Sequence, residues 1–272
     1  QGLTPASRAA AAEPPLPAAS QTLQHPAIVG GQVARLDRQL WITIQNPRDE
    51  GRVTIPRLAA SLQDVRWRGH EPGEELQLKV EPQHWHIQWT ARPAAARVIE
   101  LNFDLPPKLL TDCQPLQPAG DGSLLLPACL AATQGEKIRY EPQSFKNTVG
   151  YWVGANDRAT WEFEIPRAGS YNVAVLQGCG AGQGGSRARL TVAGETPGGL
   201  LDGSRSQGGE AKSVALEFEV LETGHFQNFQ WRHLGVLQLS EAGVHRLTIE
   251  PVEIRRAALM DVRAVHLIRL PQ

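Results

Sequence analysis

Three groups of residues have the types and spacing that chemistry requires. The run Gly180-Ala181-Gly182-Gln183-Gly184-Gly185 fits G-x-G-x-x-G, the glycine spacing that closes a loop over a dinucleotide pyrophosphate. That chemistry also needs a helix N-terminus next, to turn N–H groups toward phosphate. Here Ala188, Leu190 and Val192 alternate with Arg187, Arg189 and Thr191, which predicts a strand, so nucleotide binding is rejected. His84-Trp85-His86 places two imidazoles on one face of a strand, a spacing able to ligate a metal. No third ligand stands nearby, and two polar residues on the solvent face of a half-buried strand are the expected reading. The third group is aromatic. Tyr151, Trp152, Phe226 and Phe229 fall in loops or strand ends, with Gln183, His225, Gln227 and Asn228 as amide and imidazole partners. Sugars present apolar C–H faces flanked by hydroxyls, so an aromatic platform with such partners is the chemistry of a sugar site. The alternative is that the aromatics plug a core while the polar groups pair with turn backbone.

No G-x-S-x-G nucleophile elbow and no H-E-x-x-H helix occurs, and the chain is expected to be non-catalytic. Cys113 and Cys129 lie in one Pro-rich segment. A bridge between them would close a loop of roughly 15 residues, worth about 3 kcal/mol in an oxidising compartment. The other reading leaves them, with Cys179, as thiols.

Short alternating runs must position these groups. Leu40, Ile42 and Ile44 alternate with Trp41, Thr43 and Gln45, and the turn-like 46–51 follows. Val53-Thr54-Ile55, Val65-Arg66-Trp67, Leu76 to Val80, Trp85 to Trp89 and Val98 to Phe103 continue the pattern as far as Pro106-Pro107. A second series runs through Thr160 to Ile165, Tyr171 to Val175, Ala188 to Val192, Leu216 to Val220, Val236 to Leu239, His245 to Ile249 and Val262 to Leu270. Turn signals between short period-2 runs predict antiparallel sandwiches. The expected fold is all-β, with two antiparallel β-sandwich modules. Residues 1–38 form an extended Ala/Pro-rich arm, 39–106 the first sandwich, 107–135 a connector and 136–272 the second sandwich.

The 27 Lys and Arg against 28 Asp and Glu leave a net charge of −1, with no footprint for nucleic acid or an anionic membrane. No run of about 18 apolar residues is present to span a bilayer. The chain opens on Gln1 without a Met, which removal of a secretory signal would explain, so a secreted or cell-surface location is expected.

Residues 39–106 resemble the small β-sandwich that follows the catalytic barrel of α-L-fucosidases. The resemblance rests on Leu40-Trp41-Ile42-Thr43-Ile44, Gly51-Arg52-Val53-Thr54-Ile55-Pro56 and Val98-Ile99-Glu100-Leu101. The barrel that carries the nucleophilic carboxylate is absent, so hydrolysis is not implied. Residues 137–270 are similar to a galactose-binding-like, jelly-roll module of planctomycete-type secreted proteins. That resemblance rests on Tyr140-Glu141-Pro142, Gly150-Tyr151-Trp152, Trp161-Glu162-Phe163, the run from Leu176 to Gly185, His225-Phe226-Gln227-Asn228-Phe229 and Met260-Asp261-Val262-Arg263. It implies a carbohydrate-binding fold, with a polysaccharide or glycan held by Trp152, Gln183, His225, Phe226, Asn228 and Phe229. It also implies a structural calcium between Glu141 and Asp261 on adjacent terminal strands. Two departures are the Gly/Ser-rich insertion at 196–213 and Leu259, where sugar-binding relatives place an Asn. An alternative function is a structural subunit of an extracellular assembly, in which residues 1–38 join copies of the chain by adding a strand to an open edge.

Overall fold

The computed structural model describes residues 15–45, 50–70, 76–92, 96–194 and 213–271. The turn at 46–49, most of the insertion at 196–213 and the first 14 residues of the arm lie outside them. The chain separates into two compact units. Unit 1 is residues 1–56, 62–80 and 84–107, and unit 2 is residues 57–61, 81–83 and 108–272.

Unit 1 is built from β1 (Gln21–Leu23), β2 (Gly31–Leu36), β3 (Gln39–Ile44), β4 (Gly51–Pro56), β5 (Leu62–Trp67), β6 (Leu76–Val80), β7 (His84–Trp89) and β8 (Val98–Phe103). One sheet runs β1-β2-β3-β8-β5 and the other β4-β7-β6, all pairs antiparallel. Period-2 alternation sends Leu40, Ile42, Ile44, Ile99 and Leu101 inward to meet Val53, Ile55, Trp85 and Ile87. Across the two sheets Trp67 meets Trp89 edge-on at 5.4 Å, and Trp85 stacks on Phe103 at 6.4 Å. On the opposite face of β3, Trp41 Nε1 donates to Glu100 Oε2 at 3.0 Å. Arg66 closes on the same carboxylate at 2.6 Å. Burial pushes Glu100 up, but hydrogen bonds from Arg66, Trp41 and Asn102 outweigh it and hold the carboxyl below its ordinary range.

Unit 2 contains β9 (Leu124–Pro127), β10 (Ala132–Gln134), β11 (Arg139–Glu141), β12 (Thr148–Gly150), β13 (Arg158–Ile165), β14 (Gly169–Gly178), β15 (Arg187–Gly194), β16 (Ser213–Glu219), β17 (Gln230–Leu239), β18 (Gly243–Glu253) and β19 (Asp261–Arg269). One sheet has the order β10-β13-β18-β15-β16; the other is β11-β12-β19-β14-β17, with β9 joined to β19. Trp161, Phe163, Leu190, Leu247 and Ile249 from the first sheet, with Tyr140, Tyr171, Val173, Val175, Val265 and Leu267 from the second, are fully buried between them. The all-β expectation holds.

The boundaries shift in three places. Residues 21–23 and 31–36 of the expected arm are strands, β2 pairing along β3 from Gly31↔Ile44 to Leu36↔Gln39. Val33 and Leu23 are buried there, so this stretch has a core after all, supplied by its neighbours in the sheet. The expected connector contributes β9 and β10 to unit 2. Residues 57–61 also belong to unit 2: Arg57 donates to the Cys129 carbonyl at 3.0 Å, and Tyr140 donates to the Ala60 carbonyl at 3.2 Å. No disulfide joins Cys113 to Cys129. All three cysteines are thiols, and Cys113 Sγ turns to the Leu109 carbonyl at 3.4 Å.

Candidate functional site in unit 2

Four loops gather at one end of the unit 2 sandwich: 151–157, 179–186, 220–229 and 254–260. Their joints are backbone bonds. Leu259 donates to the Trp152 carbonyl at 2.9 Å, Ala181 to Gly224 at 3.2 Å and Thr223 to Cys179 at 3.0 Å. Side chains complete the frame. Gln183 Oε1 accepts from Ala257 N at 3.1 Å, Glu222 Oε2 from Gly182 N at 2.8 Å, and Asp157 Oδ2 from the amides of Val153 and Gly154, both at 2.8 Å. The glycine run is a strand-to-strand loop leading into β15, in accord with the rejected nucleotide site.

The six expected sugar contacts separate. Trp152 is 0% exposed, and its Nε1 donates to the Val149 carbonyl at 3.0 Å, so it is a core plug. Phe226 wedges against two glycines: a Cβ at Gly178 would stand 2.0 Å from its carbonyl oxygen, and one at Gly180 would stand 2.7 Å from its ring. Phe229 has one ring face covered by the Arg263 guanidinium at 3.9 Å. Asn228 Nδ2 donates to the Thr223 carbonyl at 2.5 Å. His225 is exposed, and its Nδ1 accepts from Gln227 N at 3.1 Å, which leaves Nε2 toward solvent. Gln183 offers no further hydrogen bond from its amide NH2 to another of the described residues. Thus His225 and Gln183 remain as donors, Asn228 keeps its carbonyl oxygen, Trp152 and Phe226 are spent on structure, and Phe229 is half-buried with one ring face covered.

The exposed aromatic at this end is Tyr151, the neighbour of the expected Trp152. Its side chain is 42% exposed and its backbone sits at φ 62°, a left-handed conformation uncommon outside glycine. One face of the ring is held by the Arg139 guanidinium at 3.4 Å, a cation–π contact from the adjacent strand. Arg139 pairs with Gly150, the last residue before the turn. Strand alternation would have sent residue 151 one way and 152 the other. The left-handed turn decides which goes out.

Glu141 and Asp261 do meet. Both are buried, and Asp261 Oδ1 and Glu141 Oε2 lie 2.9 and 3.0 Å from the point a Gly150 Cβ would occupy. Burial, with Glu141 beside it, pushes the Asp261 carboxyl up to about 8. Calcium takes six to eight oxygens. Here Glu141 Oε1 already accepts the Lys146 ammonium at 2.7 Å, and no group of three His, Cys, Asp or Glu able to hold a metal exists among the described residues. The pair as it stands is a two-carboxylate site whose cation is a lysine. Its burial also closes it to a substrate. In unit 1, His86 Nδ1 pairs with the Thr54 hydroxyl at 2.9 Å.

No family model and no curated protein matches the chain. Among solved structures it is similar to an α-L-fucosidase from Vibrio sp. strain EJY3 (14% identity, 91% of this chain and 41% of that one, TM-score 0.34). It is also similar to the C-terminal CBM6 of LamC, a laminarinase from Zobellia galactanivorans (17%, 54% of this chain and 98% of that one, TM-score 0.39). A third is the Podospora anserina GH26-CBM35 β-(1,4)-mannanase (14%, 56% of this chain, TM-score 0.38), of whose length this chain spans 28%. The planctomycete link finds no support among these structures. Likenesses this distant carry no argument about ligand, so the functional reading rests on geometry.

Proposed function

We propose that unit 2 is the glycan-binding module of a secreted, non-catalytic protein, with the ligand seated at the loop end on Tyr151. The observation that carries this reading is Tyr151 itself: an aromatic ring turned to solvent from a left-handed backbone and braced from behind by Arg139. Strained backbone persists where the surrounding structure over-determines it, and such positions cluster at ligand sites. A pyranose C–H face would lie on the free side of the ring, with His225 Nε2 and the Gln183 amide as hydroxyl partners at the same end. Affinity electrophoresis in gels containing soluble β-mannan, xylan or laminarin tests it. Tyr151→Ala is expected to lower retention about tenfold while the thermal unfolding midpoint stays within about 2 °C of wild type. Equal retention by the variant, or no retention of wild type on any of the three, would count against the reading.

A further inference from the structure

Two crossings between the sheets of unit 2 meet beside Tyr151. Residues 135–138 lead from β10 in one sheet to β11 in the other, and residues 151–157 lead from β12 back to β13. Gln134 pairs with Arg158, so the first crossing begins where the second ends. Irregular backbone of this kind carries amides that no strand satisfies. Asp157 takes three of them. It is 1% exposed; its Oδ2 accepts from Val153 N and Gly154 N, both at 2.8 Å, and its Oδ1 from Glu136 N at 3.1 Å. Its own amide donates to the Gly154 carbonyl at 3.1 Å and closes the turn. The space is shaped around the carboxylate, since a Cβ at Gly135 would run into Oδ1.

These bonds reach Tyr151 from two directions. Glu136 stands just before Arg139, whose guanidinium covers one face of the Tyr151 ring, and Val153 and Gly154 stand just after Tyr151 itself. Upstream of the ring, Gly150 is fixed by its pairing with Arg139. Downstream, the chain is fixed by Asp157 and by the bond from Leu259 to the Trp152 carbonyl. A left-handed residue other than glycine keeps that backbone only while its surroundings over-determine it, and otherwise returns to an ordinary conformation.

We propose that Asp157 is the positioning residue of the loop-end site. It acts through Tyr151, by locking the Tyr151 loop to the segment that leads into the Arg139 strand before a ligand arrives. The proposal rests on the glycan reading above for what Tyr151 does; how Tyr151 is held stands apart from that reading. Amide bonds to a carboxylate are charge-assisted and stronger than bonds to a neutral acceptor. An asparagine in the same place keeps the shape but has one acceptor oxygen, so it cannot serve the amides of both crossings. A platform fixed in advance spares the ligand the entropy of ordering it.

The full chain is compared as wild type, Asp157→Asn, Tyr151→Ala and the double variant, by affinity electrophoresis in β-mannan, xylan and laminarin gels. Nitration by tetranitromethane, mapped by peptide mass, is followed alongside without glycan. Tyr140 and Tyr171 are fully buried, so of the chain's three tyrosines Tyr151 is the accessible one. Asp157→Asn is expected to weaken retention about tenfold and to cost nothing further in the Tyr151→Ala background. It is also expected to speed nitration of Tyr151 several-fold while Tyr140 and Tyr171 stay unmodified. A carboxylate that only stabilises the fold would lower retention by the same factor in both backgrounds, and that result overturns the proposal. Unchanged nitration of Tyr151, or nitration of all three rings, overturns it as well. If wild type is retained in no gel, the glycan reading fails, and the nitration rate still decides how Tyr151 is held. If Asp157→Asn does not fold, Gly154→Ala takes its place with the same outcomes expected, because its Cβ would press on Oδ1 at 3.2 Å and shift the carboxylate.

Discussion

At the scale of single residues, Asp261 shows how position rewrites ordinary chemistry. In the unfolded chain its carboxyl titrates near 4. In unit 2, burial and the facing Glu141 push it up to about 8, so across that interval the native state holds a proton that the unfolded state has released. Stability is therefore fully present below about pH 4 and is lost as pH rises toward 8, up to about 5 kcal/mol if the whole shift is realised. Urea unfolding of unit 2 at pH 5, 6.5 and 8 is expected to show this decline. Asp261→Asn, which stays neutral, is expected to flatten it; a decline of the same slope in the variant would assign the effect elsewhere. The aromatic residues teach a related lesson. Tyr151 and Trp152 are adjacent and chemically alike, yet one is solvent-facing and the other a core plug. Nothing in their types predicts the order, because the choice is made by a single left-handed residue in the turn.

At the scale of elements, glycines in unit 2 matter for what they leave empty. Gly178 ends β14 beneath the loop carrying His225, Phe226 and Asn228, and the Phe226 backbone lies directly on it. Gly178→Ala is expected to destabilise unit 2 by about 2–4 kcal/mol, because the obstructing atom is main chain and cannot swing aside. Chemical denaturation followed by near-ultraviolet circular dichroism would show it; a change under about 0.5 kcal/mol would mean that the loop is free to lift. Gly180-Ala181-Gly182-Gln183-Gly184-Gly185 therefore reads correctly as a loop and not a phosphate cradle, since β15 follows it. The pattern missed β9 because Leu124-Leu125-Leu126-Pro127 is short, lacks alternation and ends in proline. Its partner β19 lies 134 or more residues along the chain, and the pairing Leu124↔Leu267 is tertiary information.

At the scale of the whole molecule, unit 2 is assembled from three separate stretches of chain, 57–61, 81–83 and 108–272. The first stretch is bonded into it. Ala59 N donates to the Lys108 carbonyl at 2.9 Å, and Ser61 Oγ donates to the Pro142 carbonyl at 3.2 Å. The buried Arg57 guanidinium, its pKa lowered to about 10 by desolvation, lies 5.1 Å from the Tyr140 ring. A fragment beginning at Lys108 would take the Ser61 and Arg57 donors from the Pro142 and Cys129 carbonyls, at about 1–3 kcal/mol for each buried group left unsatisfied. Such a fragment is expected to melt well below the unit 2 transition of the full chain by calorimetry. An unchanged midpoint would show that 57–61 is bound without contributing.

Alternation of apolar and polar residues was enough to determine the all-β class and most of the strands. Those properties are local, because a side chain's face in a strand follows from its parity. Tertiary structure alone decided the rest. It folded residues 21–23 and 31–36 into a sheet, spent Trp152 and Phe226 on packing, and turned Tyr151 outward. It brought Glu141, Lys146 and Asp261 into one cluster. Each of these depends on which strands become neighbours. Register between residues a hundred positions apart is set by the packing of the assembled sandwich and not by any segment of the chain alone.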